Sequence, residues 1–142
     1  HRGINDFSKI PPGSPGVQDR LHMIWTYGVE KGKISRTKFV DVCCTTPAKI
    51  CGIYPQKGEI AVGSDADVVI FDPNYKGVFS NETSLHDTDY NAYEGFEQIG
   101  RAEKVFLRGS LVAENGKFLG EEGQGQQVMA KPYGLCYDGF KE

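Results

Sequence analysis

The sequence contains no uninterrupted apolar run approaching the ~20 residues needed to cross a bilayer, so it offers no candidate membrane-spanning helix. It also lacks any block of like charge. Its 16 basic and 19 acidic residues leave a formal charge of −3, and phosphate backbones attract strongly basic surfaces, so nucleic-acid binding is disfavoured. Histidines are few: His1, His22 and His86. No Cys-x-x-Cys pair is present, and Cys43, Cys44, Cys51 and Cys136 have no nearby histidine to complete a zinc set. Three of these cysteines lie among apolar residues in a helical stretch, where the side chain behaves as a small hydrophobe, so buried, reduced thiols and a cytoplasmic location are expected. The opening residues, His1 to Asp6, include neither an initiating Met nor the apolar stretch of a signal peptide. A soluble chain, cut short at its start, is the expectation.

What is present fits one ordinary domain in size: 142 residues, 39% apolar and 11% aromatic, enough to bury a core. Eighteen glycines and seven prolines demand frequent turns, which suits short strands and loops better than a helix bundle. Residues 7–16 hold three prolines and two glycines and form a shaped loop. Ser14 with Pro15 then suggests a helix start, and Leu21, Ile24, Trp25 and Gly28 recur at helical spacing as far as Gly32. A second helix begins at Ser35 and carries Phe39, Val40 and Cys43 inward. Thr46-Pro47 looks like a fresh cap for a short third helix, from Ala48 to about Ile53.

Beyond Tyr54-Pro55 the helical period gives way to short apolar strings between turn residues. Residues 59–62 and 68–71 are predicted strands around the turn Gly63 to Asp67, the second ended by Asp72-Pro73. Lys76 to Ser80 is a further candidate strand, and Asn81 to Tyr90 a loop. A meander of three strands follows: from Lys104, from Ser110, and from Lys117 after Asn115-Gly116, a strong hairpin signal because both residues tolerate positive φ. From Gly120 the chain should run as an extended tail. Two helices with one apolar face each need another surface to cover them, so something outside this chain is expected to supply it.

Two strings carry a resemblance. Thr45 to Pro55, followed by Lys57 to Pro73, resembles the exit from the barrel of amidohydrolase-superfamily enzymes. Asp6-Phe7-Ser8-Lys9-Ile10-Pro11, with Gly13 and Pro15-Gly16, and Tyr90-Asn91-Ala92-Tyr93-Glu94-Gly95 are similar to hydantoinases and dihydropyrimidinases, as is the Gly-rich stretch from Gly123 to Pro132. The resemblance implies an α/β parent, a TIM barrel with a composite β-sandwich. This chain would be its carboxy-terminal portion: residues 1–53 the end of the (β/α)8 barrel with a substrate-side loop and helices, 54–119 antiparallel sandwich strands, and 120–142 an extended tail.

The function so implied is a metal-dependent hydrolase that opens dihydropyrimidine or hydantoin rings. The parent family binds two divalent ions, zinc by preference, which lower the pKa of a bridging water and polarise the ring carbonyl. The ligands lie on barrel strands upstream of His1, so this chain is expected to contain no catalytic residue, no metal ligand and no cofactor of its own, and to be inactive alone. Asp65 and Asp67 suggest a metal pair, yet between two strands they fit turn geometry better. One substrate contact is expected from the resemblance. The family's Ile-Pro-Asn-Gly pattern has Asn where Pro12 stands, and its backbone carbonyl accepts a ring N–H; a proline retains that carbonyl. The equal alternative is a rigid surface loop without ligand. Implied partners are the remainder of the parent enzyme, a cyclic amide and further copies in a homodimer or homotetramer, with neither nucleic acid nor membrane. Two other readings stay open: a non-catalytic, dihydropyrimidinase-like assembly protein, and a free-standing small β-domain with a binding role.

Overall fold

The computed structural model describes residues 4–10 and 13–131. Among them no helix is long and apolar enough to cross a membrane. Helix α1 (Arg20–Ile24) runs without a break into a π-turn, Trp25–Val29. It starts later than Ser14 and Pro15 suggest. The Ser14 hydroxyl donates to the Pro15 carbonyl and caps no helix, and the first turn is set by Arg20 N–H on Gly16 O at 3.0 Å.

Helix α2 (Arg36–Val40) does begin where expected, with Ser35 Oγ accepting from Lys38 N at 3.1 Å. It continues through a π-turn, Asp41–Thr45, into α3 (Thr46–Ile50). Thr46 therefore caps nothing, and its hydroxyl donates instead to Asp41 Oδ1 at 2.7 Å. The reason lies in Pro47, which has no N–H and whose ring crowds the carbonyl four residues back; a wider turn just before it absorbs that conflict without ending the helix.

Four strands form one antiparallel meander in the order β1 (Val68–Val78), β2 (Glu97–Leu107), β3 (Ser110–Glu114) and β4 (Lys117–Phe118). Strand β1 does not stop at Asp72-Pro73. Its register with β2 slips between Asp72 and Lys76, and the proline sits in that irregularity, where a missing N–H breaks no ladder bond. Likewise β2 starts at Glu97, seven residues before the apolar string that announced it. The Asn115-Gly116 hairpin forms with φ of 50° and 78°. Residues 59–62, expected as a strand, form none, and Ile60 is 86% exposed.

The helices cover the sheet through an aromatic cluster. Trp25 meets Phe39 edge-on at 5.2 Å and Phe71 of β1 at 4.7 Å between ring centroids. Trp25 and Phe39 are buried, and such pairs add to area burial about 0.5–1.5 kcal/mol each. Gly100 of β2, at φ +76°, lies against Trp25 and Phe71 and has no room for a Cβ.

The helix also repairs the sheet at its irregular point. Fully buried Thr26 accepts the Ile99 N–H on Oγ1 at 3.0 Å, and its own proton lies between the His22 and Ile99 carbonyls, at 2.8 and 2.9 Å. His22 Nε2 accepts from Ala102 N at 3.2 Å. Two backbone amides of β2 that would be orphaned inside are thereby satisfied.

Candidate functional site

Pro12, the expected substrate contact, lies outside the described residues, but the segment that follows it is held closely. Tyr90 Oη donates to Gly13 O at 3.2 Å. Gln18 takes three bonds: its N–H to His86 Nε2 at 3.2 Å, its Nε2 to Thr83 O at 3.5 Å, and Leu85 N onto its Oε1 at 2.8 Å. Deeper in, Asn91 Nδ2 donates to Asp19 Oδ2 at 3.0 Å, with both residues buried. Asn91 Oδ1 accepts from Tyr93 N at 2.8 Å, which folds the 90–95 string into a turn. The two strings that pointed to hydantoinases, 77 residues apart at Gly13 and Tyr90, thus meet in space. Periodicity gave no sign of the Asp19–Asn91 pair, because both residues stand in polar, aperiodic surroundings.

The remaining candidates have structural partners. His22 carries the Ala102 amide, and burial, with a smaller push from Arg101, holds its imidazole below the ordinary histidine pKa. It is therefore kept neutral, as an acceptor must be. Asp65 and Asp67 both clasp Lys57, Asp65 at 2.8 Å. Burial pulls the Lys57 pKa down, but the bonds to the two carboxylates outweigh it and raise it overall. The bond from Lys57 also holds the Asp65 carboxyl below its usual range. Asp67 further accepts Arg108 N at 2.8 Å, tying the turn before β1 to the turn after β2. Among the described residues, no group of three or more His, Cys, Asp or Glu side chains could hold a metal ion.

Cys43, Cys44 and Cys51 are free thiols, as expected, but not buried ones: Cys43 is half-buried and the other two are exposed. The correction has a geometric cause, since Cys44 and Cys51 line an open cleft of about 560 Å³ between the α2–α3 helix and β1. Although Cys44 is exposed at the cleft, the protein atoms packed beside it partly desolvate the thiol and raise its pKa against the opposing pull of Arg20, which disfavours the nucleophilic thiolate. Leu21, Phe39, Val40, Ala48, Val69 and Phe71 make the walls apolar. The charged groups at its rim, Lys57, Asp65 and Asp67, are already paired with one another. Two further charged side chains line it: Glu59, which accepts from Tyr54 Oη, and Arg36, whose guanidinium stands 5.6 Å from the Trp25 ring centroid.

The sequence profile described as "Amidohydrolase family" matches residues 17–112. The chain belongs to the amidohydrolase family, on its hydantoinase and dihydropyrimidinase branch. It is 45% identical over 132 residues to a D-hydantoinase of Geobacillus stearothermophilus, an alignment covering 93% of this chain and 28% of that protein. Against a dihydropyrimidinase of Dictyostelium discoideum it is 39% identical over 140 residues, covering 99% of this chain and 28% of the relative. A crystal structure of D-hydantoinase superposes with a TM-score of 0.88 at 45% identity, over 93% of this chain and 29% of that one. The L-hydantoinase (dihydropyrimidinase) from Arthrobacter aurescens gives 0.78 at 41% identity, over 85% and 27%. The chain therefore spans under a third of the length of these relatives.

Proposed function

We propose that this chain is the carboxy-terminal portion of a metal-dependent hydrolase that opens dihydropyrimidine or hydantoin rings. In that reading residues 1–53 end the (β/α)8 barrel and bring the Pro12 carbonyl to the substrate, residues 54–119 are strands of the β-sandwich, and residues 120–142 are its tail. The observation that carries the proposal is the 45% identity to a D-hydantoinase over 93% of this chain, against only 28% of the relative's length.

The physical state of the surface supports it. Strand β1 is an edge strand among the described residues; Val69 on it is half-exposed where it lines the apolar cleft, and Ile70 is half-exposed as well. Ile60 and Val62 also stand in solvent. An open strand edge next to apolar surface is what a protein normally covers, and the rest of the parent would cover it here.

The amidohydrolase family generally binds divalent metals, and zinc is the expected ion, supplying an activated water for attack on the amide. The described residues of this chain do not fit such a centre. Both described histidines spend Nε2 on backbone amides, and the Asp65–Asp67 pair is occupied by Lys57. What this part contributes is position and shape, and the isolated chain has no turnover.

The test is metal analysis with hydrolysis of dihydrouracil and hydantoin, on the isolated chain and on the full-length protein that carries it. The full-length protein should hold two divalent ions per chain and open one or both rings, and sediment as a dimer or tetramer. The isolated chain should do neither chemical task. Hydrolysis or two tightly held ions in the isolated chain would overturn the assignment of roles. A metal-loaded full-length protein that opens neither ring would replace the enzyme by an assembly protein of the same fold.

A further inference from the structure

The Asn115-Gly116 turn has no task in the function just proposed, yet it brings together the parts of a chemical reaction. An asparagine carboxamide is open to attack by the backbone nitrogen of the next residue, and a Cβ on that residue crowds the approach. Of the five asparagines, Asn5, Asn74, Asn81, Asn91 and Asn115, only Asn115 precedes a glycine. Asn115 and Gly116 are both exposed at the tip of the β3–β4 hairpin. Beyond its chain neighbours, no heavy atom of the described residues lies within 4 Å of the position a Cβ would take on Gly116. Asn115 N is fixed to Glu103 O at 2.8 Å, whereas the Gly116 N–H is given to no acceptor among the described residues.

Arg101 distinguishes this site from an ordinary Asn-Gly pair. Its Nη2 donates to Asn115 Oδ1 at 3.0 Å. That oxygen takes up negative charge when the Gly116 nitrogen adds to Cγ, so a guanidinium already bonded to it stabilises the developing oxyanion. The guanidinium is itself held 4.3 Å from the ring centroid of Tyr75, on β1. Asn91 is the internal contrast: it is buried, precedes Ala92, and has both ends of its carboxamide bonded.

We propose that Asn115 is a site of spontaneous hydrolytic modification, deamidation through a cyclic imide, promoted by Arg101. The Gly116 N–H gives its proton to solvent base and its nitrogen bonds to Asn115 Cγ. The Cγ–Nδ2 bond then breaks, and Nδ2 leaves as ammonia with a proton from water. Water opens the imide at one of its two carbonyls: at Cγ to give aspartate, or at the main-chain carbonyl to give isoaspartate, with the chain continuing through Cγ. Nothing is oxidised or reduced, and water is the only co-reactant. Aspartate at this position keeps an Asp-Gly turn suited to the same hairpin and sets a carboxylate against Arg101, a stronger, charge-assisted pair. Isoaspartate adds a backbone atom to the turn, and β4 is only Lys117–Phe118, so this product should undo the last strand.

The experiment ages the folded, full-length protein at physiological temperature and mildly alkaline pH. The tryptic peptide 109–117, released at Arg108 and Lys117, is followed by mass spectrometry and by isoaspartyl methyltransferase labelling. It should gain the mass of amide-to-acid conversion and split into aspartyl and isoaspartyl forms, while the peptides holding Asn74 and Asn91 stay unchanged. Arg101→Gln should slow the conversion about fivefold, the effect of losing one solvent-screened donor to the transition state. A peptide 109–117 that stays intact in the folded protein while urea-unfolded protein converts would overturn the site. Equal or faster conversion in a folded Arg101→Gln variant would overturn the part given to Arg101. Where that variant folds poorly, Asn115→Asp carries the test: it should melt no lower than the wild type, and a lower melting temperature would overturn the pairing with Arg101. None of these outcomes depends on the hydrolase reading.

Discussion

Gly100→Ala tests the packing of helix on sheet at its tightest point. The backbone at Gly100 has φ +76°, a left-handed conformation that costs a residue with a Cβ about 1–2 kcal/mol. The added methyl would also stand 2.6 Å from Phe71 Cε1, 2.7 Å from Trp25 Cδ1 and 2.8 Å from Trp25 Nε1. All three atoms belong to rings locked in the aromatic cluster, and forcing such a core apart costs about 1–3 kcal/mol. The two effects together give roughly 2–5 kcal/mol. Gly116→Ala separates them, because Gly116 has φ +78° and nothing within 4 Å of its would-be Cβ, so only the backbone cost of about 1–2 kcal/mol applies. Urea unfolding followed by the fluorescence of Trp25, the only tryptophan of the chain, reads both. Gly100→Ala should shift the midpoint clearly more than Gly116→Ala. Equal losses, within about 0.5 kcal/mol, would refute the claim that the glycine is required by the approach of Trp25 and Phe71.

Three further outcomes follow from named contacts. Thr26→Val keeps the shape but leaves the Ile99 amide without an acceptor, at a cost of about 1–3 kcal/mol, whereas Thr26→Ser keeps the hydroxyl and should lose less; melting curves of the two variants decide it. Burial holds His22 below the ordinary histidine pKa, so its imidazole should titrate by NMR below 6.5. Because this shift is downward, its contribution to stability is present above about pH 6.5 and lost as pH falls through the folded-state value; His22→Phe should flatten that slope in melting temperature against pH. Asp65 is likewise held low, by Lys57, so its contribution is present above the unfolded carboxylate pKa of about 3.9 and disappears as pH falls through the folded value. Asp65→Asn should remove that part of the acid transition, and an unchanged acid profile would mean the ion pair is idle.

How far the sequence carried depends on whether a signal was local. Ser35 and Asn115-Gly116 were legible because a side-chain cap and a two-residue turn are decided by the residues that make them. Thr46-Pro47 misled for the opposite reason. A proline is a helix breaker only if the turn before it is an ordinary one, and here that turn widens. Ile60 and Val62 have the composition of a strand and no strand partner among the described residues, and composition without a partner does not make a strand. Cys44 and Cys51 repeat the lesson: their apolar neighbourhood was visible, but both border the open cleft. The Asp19–Asn91 pair shows the limit most clearly. Tyr90 to Gly95 could be singled out only by its likeness to relatives, since a buried Asn–Asp bond across 72 residues leaves no period, no charge run and no turn signature.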